Sequence, residues 1–109
     1  MSPVELMRSR YSAFATGEVE HLVRTLHPSH PDCELPRGVL VATLRNTCKS
    51  YRYTGLTIED HAESGETGSV TFLAKVFDRG IDRSFRERSA FERVDGSWRY
   101  LSGETHPTP

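Results

Sequence analysis

The hydrophobic period of this chain changes at Tyr51, and that change restricts the fold more than any other feature. Upstream, apolar residues recur at helical spacing. Downstream they alternate, as in strands with one buried face. Helices followed by a run of strands describe an α+β protein, with the helices laid on one face of an antiparallel sheet. The loops between the strands are too short for parallel crossovers.

In the helical half, Ser2-Pro3 opens the first helix, serine as N-cap and proline at the first helical position. Val4, Met7, Tyr11, Phe14 and Ala15 share one arc, Leu6 and Ala13 widen it, and Gly17 ends the helix. Arg10 breaks this pattern by projecting between Phe14 and Leu6, inside the apolar arc; Arg8 lies at its margin. Val19, Leu22, Val23 and Leu26 predict a second helix, stopped by Pro28. His27 to Asp32, with two prolines, reads as a loop. Pro36 starts a third helix running to about Cys48, with Leu40, Leu44 and Cys48 on its buried stripe.

In the strand half, Leu56 and Ile58 mark a first strand and Glu63–Gly68 a turn. Val70, Phe72, Ala74 and Val76 mark a second strand, closed by a hairpin at Asp78-Arg79-Gly80. Phe85 and Phe91 mark a third strand, and Asp95-Gly96 is the clearest hairpin signal. Trp98, Tyr100 and Leu101 belong to the last strand, leaving Glu104–Pro109 as a flexible tail after one domain over 1–103.

Glu87 is the second violation of the pattern. It shares a strand face with Phe85, Ser89 and Phe91, whereas Arg86, Arg88 and Glu92 occupy the other face. The face with two phenylalanines is the core face, so Glu87 points inward. A buried carboxylate is costly unless it is paired. Arg10 is the one strong candidate partner, and the expectation is an inward ion pair, with Tyr11, Ser89 and Trp98 lining the same space. Such a pair is either a structural tie between the first helix and the sheet or the polar floor of a ligand cavity.

Other clusters carry less. His27, His30 and Cys33 are chemically able to bind zinc, but they sit in a proline-broken loop with no evident fourth ligand, so no metal is expected. Arg79, Arg83, Arg86 and Arg88 are interleaved with acidic residues, which reads as a solvated, ion-paired edge. Fourteen basic residues against fifteen acidic ones leave no field to collect nucleic acid or anionic lipid, and neither partner is expected. No apolar run reaches the ~20 residues of a membrane span. Cys33 and Cys48 form no close pair, which suits a reduced, cytoplasmic chain. Ser9 and Ser89 lack a nucleophile-elbow context, and no phosphate loop or cofactor motif is present.

Four strings occur in order: Leu6-Met7-Arg8-Ser9-Arg10-Tyr11-Ser12-Ala13-Phe14, Thr25-Leu26-His27-Pro28, Glu87-Arg88-Ser89-Ala90-Phe91, and Gly96-Ser97-Trp98-Arg99-Tyr100, closing at Gly103. Together they resemble the YchJ-like family of bacterial proteins of unknown function, over about Val4 to Gly103. The resemblance implies the nuclear transport factor 2-like, or cystatin-like, cone, in which helices close a curved sheet around a cavity. It marks Arg8, Arg10, Tyr11, Glu87 and Ser89 as motif positions without attached chemistry. Relatives commonly carry cysteine-rich zinc motifs of the SEC-C type at one or both ends. These residues contain none, so zinc binding and the partner contacts it would mediate are not expected of them.

The leading expectation is a small-molecule-binding cone, with Arg10, Tyr11, Glu87, Ser89 and Trp98 at the ligand and Phe85 and Phe91 as further walls. The alternative is an interaction or homodimerisation module using the outer sheet face, where Leu73, Phe77 and Leu101 could lie, with Arg10 and Glu87 purely structural. An enzyme is the weakest reading. Acid–base chemistry in such a cavity wants an Asp–His pair, and arginine is a poor proton shuttle.

Overall fold

A computed structural model of the protein describes residues 1–106. Helix α1 spans Pro3–Thr16. Its N-terminus is a reciprocal capping box: Ser2 Oγ accepts from the Glu5 N–H, and Glu5 Oε1 accepts from the Ser2 N–H at 2.9 Å. Gly17 ends it in the left-handed conformation. The buried stripe is Pro3, Leu6, Met7, Arg10 and Ala13, rotated from the expected arc toward the side of Leu6 and Ala13, so that Tyr11 and Phe14 are half-buried and Ala15 is exposed. The rotation has a cause: α1 meets helices on one side and the sheet on the other. Pro3 packs so tightly on Gly68 that a Cβ there would fall 2.8 Å from the proline ring.

Helix α2 is short, Val19–Arg24. It ends two residues before the expected limit because Leu26 leaves the helix and forms a parallel bridge to Tyr100. The His27 N–H donates to the Tyr100 carbonyl at 2.8 Å, and the Tyr100 N–H donates to the Thr25 carbonyl at 2.7 Å. A 3-10 turn, Pro31–Glu34, begins inside the expected loop, extends two residues past it and leads to α3, Arg37–Ser50.

Five strands follow: β1 Arg52–Ser64, β2 Thr67–Asp78, β3 Ile81–Asp82, β4 Phe85–Val94 and β5 Ser97–His106. The order is β1-β2-β4-β5, antiparallel throughout, with the two-residue β3 paired to the end of β2. Arg79-Gly80 and Asp95-Gly96 both take positive φ at both positions, the type I′ geometry that suits the twist of a hairpin. Register shifts interrupt β1 between Tyr53 and Gly55 and between Ile58 and Asp60. A third, at Leu101, lets Ala90 face Ser102 while Phe91 faces Tyr100. Bulges of this kind bend the strand and increase twist, and they curl the sheet around α1.

The concave face supplies the core: Val70, Phe72, Ala74 and Val76 from β2, Phe91 from β4 and Trp98 from β5, against Leu6 and Met7 of α1. One expectation fails at the C-terminus. Glu104, Thr105 and His106, read as tail, pair with Arg88, Glu87 and Arg86, because β4 starts at Phe85, ahead of Ser89, and offers its backbone for pairing. Pro107 to Pro109 lie outside the described residues.

Candidate functional site

Between α1, α3 and the concave sheet lies a cavity of about 340 Å³. Its walls include Tyr11 and Phe14 of α1, Leu44 and Thr47 of α3, and Phe72, Val76 and Phe85 of the sheet. Its polar lining includes Arg10, Glu87, Tyr100, His30 and Asp32, with Tyr51 and Tyr53 alongside.

Arg10 and Glu87 both face this space, as their patterning required, but they do not pair with each other. Arg10 is 5% exposed. Its Nη1 donates to the Leu22 carbonyl at 2.9 Å and to Thr25 Oγ1 at 2.5 Å. These groups stand at the end of α2, where backbone carbonyls lack helical donors and a positive charge is favoured. The expected ion pair is therefore replaced by a cap on α2. A short helix whose last turn opens toward α1 offers acceptors closer than the carboxylate. Burial pulls the Arg10 pKa down to about 10, with Tyr100, Glu87 and Asp32 opposing the shift, so it stays a cation at neutral pH.

Glu87 has its own partners. Its Oε2 accepts from Ser89 Oγ at 2.5 Å and from the Tyr100 hydroxyl at 2.9 Å. Tyr100 joins the two halves of the site, because the Arg10 guanidinium carbon lies 4.7 Å from the centre of its ring. The bulge at Leu101 and a missing side chain at Gly103 allow this contact. A Cβ on Gly103 would stand 2.5 Å from the Glu87 carboxylate carbon and nearer still to the Tyr100 hydroxyl. Burial, then the Glu87 carboxylate, raises the pKa of the Tyr100 phenol, which stays protonated as the donor.

Tyr11 lines the cavity with its ring while its hydroxyl is fully used. It accepts from the Gly55 N–H at 2.8 Å and donates to the Lys75 carbonyl at 3.1 Å, closing the first bulge of β1. Ser89 is wholly buried beneath Met7 and reaches the site only through Glu87. Trp98 does not line the cavity. It packs against the other end of α1, beside Leu6, with Arg93 4.8 Å over its ring. Phe91 likewise lies behind Tyr100, edge to face at 5.8 Å. The physical reason is curvature: β5 enters the sheet beneath the first turns of α1, so Trp98 and Tyr100, on one strand face, look into different spaces.

His30, Asp32 and Tyr100 are the polar residues that patterning missed. The backbone bonds between Tyr100 and the Thr25–His27 segment carry the proline-rich loop to the cavity mouth, bringing the His30 ring 5.7 Å from that of Tyr100. His30 Nδ1 accepts from the Asp32 N–H at 3.0 Å, so the neutral ring carries its proton on Nε2. The repeated contact of Thr25-Leu26-His27-Pro28 with the last strand has no local periodicity and was invisible in one dimension. His27, read as part of the proline-rich loop, is buried, and its Nε2 meets Glu92 Oε1 at 2.9 Å. Among the described residues no three metal-ligating side chains converge. Ser9 and His21 lie 2.8 Å apart outside the cavity lining, and the Ser9 hydroxyl also meets the Leu6 carbonyl at 2.7 Å.

A curved antiparallel sheet closed by helices over an interior pocket defines an NTF2-like protein. A crystal structure of an NTF2-like protein from Cytophaga hutchinsonii matches over 96% of this chain and 98% of its own, with a TM-score of 0.70 and 17% identity, and shows the fold alone. The chain belongs to the YchJ family: residues 2–103 match the domain described as YchJ, middle NTF2-like domain. It is 43% identical over 102 residues to a UPF0225 protein of Streptomyces coelicolor, covering 91% of this chain and 71% of that one. The solution structure of a SEC-C motif containing protein from Rhodopseudomonas palustris is 31% identical, covers 94% of this chain and 77% of its own, and has a TM-score of 0.83. No helix among the described residues is long and apolar enough to cross a membrane.

Proposed function

We propose that this domain binds a small organic molecule in the cavity between α1 and the concave face of the sheet. One observation supports this above the others. Arg10 is almost wholly buried at a largely apolar cavity, yet both of its bonds to described residues leave from Nη1, and Nε and Nη2 make none. A cation present only as a helix cap would not need to face an open space, whereas apolar pockets with a few placed polar groups are the usual form of ligand sites.

Two other readings have less support. Acid–base catalysis would assign the proton transfer to His30, but its Nδ1 lone pair is already taken by a backbone N–H. Docking through the outer sheet face would use Leu73, yet Leu73 is only half-exposed, and its neighbour Arg86 pairs with Glu59 through two hydrogen bonds. The free cysteines Cys33 and Cys48 suit a reducing compartment, and we place the protein in the cytoplasm.

The cavity reading is tested with toluene, since most of the walls are aromatic or aliphatic and the space is large enough for one small ring. In a titration of isotopically labelled protein, amide shifts should concentrate at Tyr11, Phe72 and Phe85. Thr47→Phe, which fills the α3 wall without entering the core, should abolish them. No response at those amides, or an unchanged response in the variant, would remove the proposal.

A further inference from the structure

We infer that the ligand of this cavity is an uncharged molecule with a hydrogen-bond acceptor at one end and a donor at the other, joined by a flat apolar body. This rests on the cavity reading above and specifies what the cavity selects.

Arg10, His30 and Glu87, three of the polar residues on the lining, fall into two sets on either side of Tyr100. On one side are donors. Arg10 has Nε and Nη2 unbonded among the described residues, and His30 holds its neutral-form proton on Nε2, its other nitrogen being occupied by the Asp32 N–H. Both rings or groups stand close to the Tyr100 ring, at 4.7 Å for the guanidinium carbon and 5.7 Å for the imidazole centre. Tyr11 and Tyr100 add no free donor, since each has already given its hydroxyl proton away, while Tyr51 and Tyr53 line the cavity away from the Tyr100–Glu87 contact and enter neither set. On the other side is an acceptor. Both bonds to Glu87 end on Oε2, leaving Oε1 without a donor among the described residues, and Glu87 lines the cavity.

Charge excludes the simpler ligands. An anion drawn to Arg10 would also meet Glu87, and would pass the Asp32 carboxylate at the mouth. A cation drawn to Glu87 would meet Arg10. A neutral molecule with a dipolar arrangement of groups satisfies both ends at once, which matters because an unpaired polar group in a desolvated site is costly. Arg10 and Glu87 form no ion pair, and the Tyr100 side chain lies between them, so one amide group cannot span the two ends. The walls between them are aromatic: Phe72 and Phe85 meet edge to face at 6.1 Å, and Phe72 is the cross-strand neighbour of Glu87. A ring fits that space.

Five single-ring probes separate the possibilities in titrations of the labelled protein at neutral pH. 4-Hydroxybenzamide carries both groups and no charge. p-Cresol lacks the carbonyl, 4-methylbenzamide lacks the hydroxyl, 4-hydroxybenzoate is an anion and tyramine a cation. 4-Hydroxybenzamide should bind tightest, by about fivefold for each hydrogen bond that a competitor lacks. In Glu87→Gln, Ser89 and Tyr100 hold the amide oxygen and the NH2 turns to the cavity as a donor, so the advantage over 4-methylbenzamide should shrink while the advantage over p-cresol is spared. If p-cresol binds as tightly, or either charged probe binds more tightly, the inference is overturned while the cavity reading stands. If none of the five shifts the cavity amides, the cavity reading falls as well.

Discussion

Arg10 and Glu87 were visible as misfits because each sits on an apolar face at its element's own period. Their partners were not visible. The donors and acceptors that satisfy them are a helix-end carbonyl, three hydroxyls and a ring face, none of which has a sequence signature. Gly103 is the clearest case. It reads as an ordinary strand glycine, yet its missing side chain makes room for the Tyr100–Glu87 contact. Gly103→Ala forces the carboxylate and phenol apart, and overpacking of this kind costs about 1–3 kcal/mol. Urea denaturation should show that loss, with an unchanged slope against urea. A neutral result would mean that Tyr100 and Glu87 do not hold the geometry described.

At the scale of elements, the strands followed from alternation and the first helix from its cap and its glycine stop. The ends of α2 and β5 did not, because each is set by the segment that pairs with it. Leu26 bridges to Tyr100, and Glu104–His106 pair with β4. The helices also differ in how firmly they are held. α1 buries five residues, whereas α3, of equal length, buries only Leu40 while covering the cavity with Leu44 and Thr47. Few buried contacts mean low local stability. Hydrogen exchange should therefore proceed faster in the middle of α3 than in the middle of α1. Equal protection in the two helices would contradict a weakly held α3.

For the whole molecule, the expected consequence is a stability that depends on pH near neutrality. Burial, with the Arg10 and Arg24 cations nearby, holds the His21 imidazole below its ordinary value. The unfolded chain thus binds the proton more readily, and stability declines as pH drops below about 6.5. The carboxyls of Glu5, Glu59 and Asp82 are also held low by their hydrogen bonds, and add a separate loss at more acidic pH, around the ordinary carboxyl range. Thermal melts from pH 8 to 5 should show a falling midpoint below about 6.5. In His21→Gln, which keeps a donor for Ser9, that part of the decline should flatten. A profile identical to the parent would assign the dependence to another group.

The α+β class, the helix-then-sheet order and the inward direction of Arg10 and Glu87 were determined by sequence alone, because period and burial are local, repeating properties of a chain. Which acceptor Arg10 takes, why Trp98 leaves the cavity and how His30 and Asp32 reach it were decided only in three dimensions. Those outcomes depend on strand curvature and on backbone pairing between residues some seventy positions apart, such as Leu26 and Tyr100. Contacts at that separation leave no periodic trace.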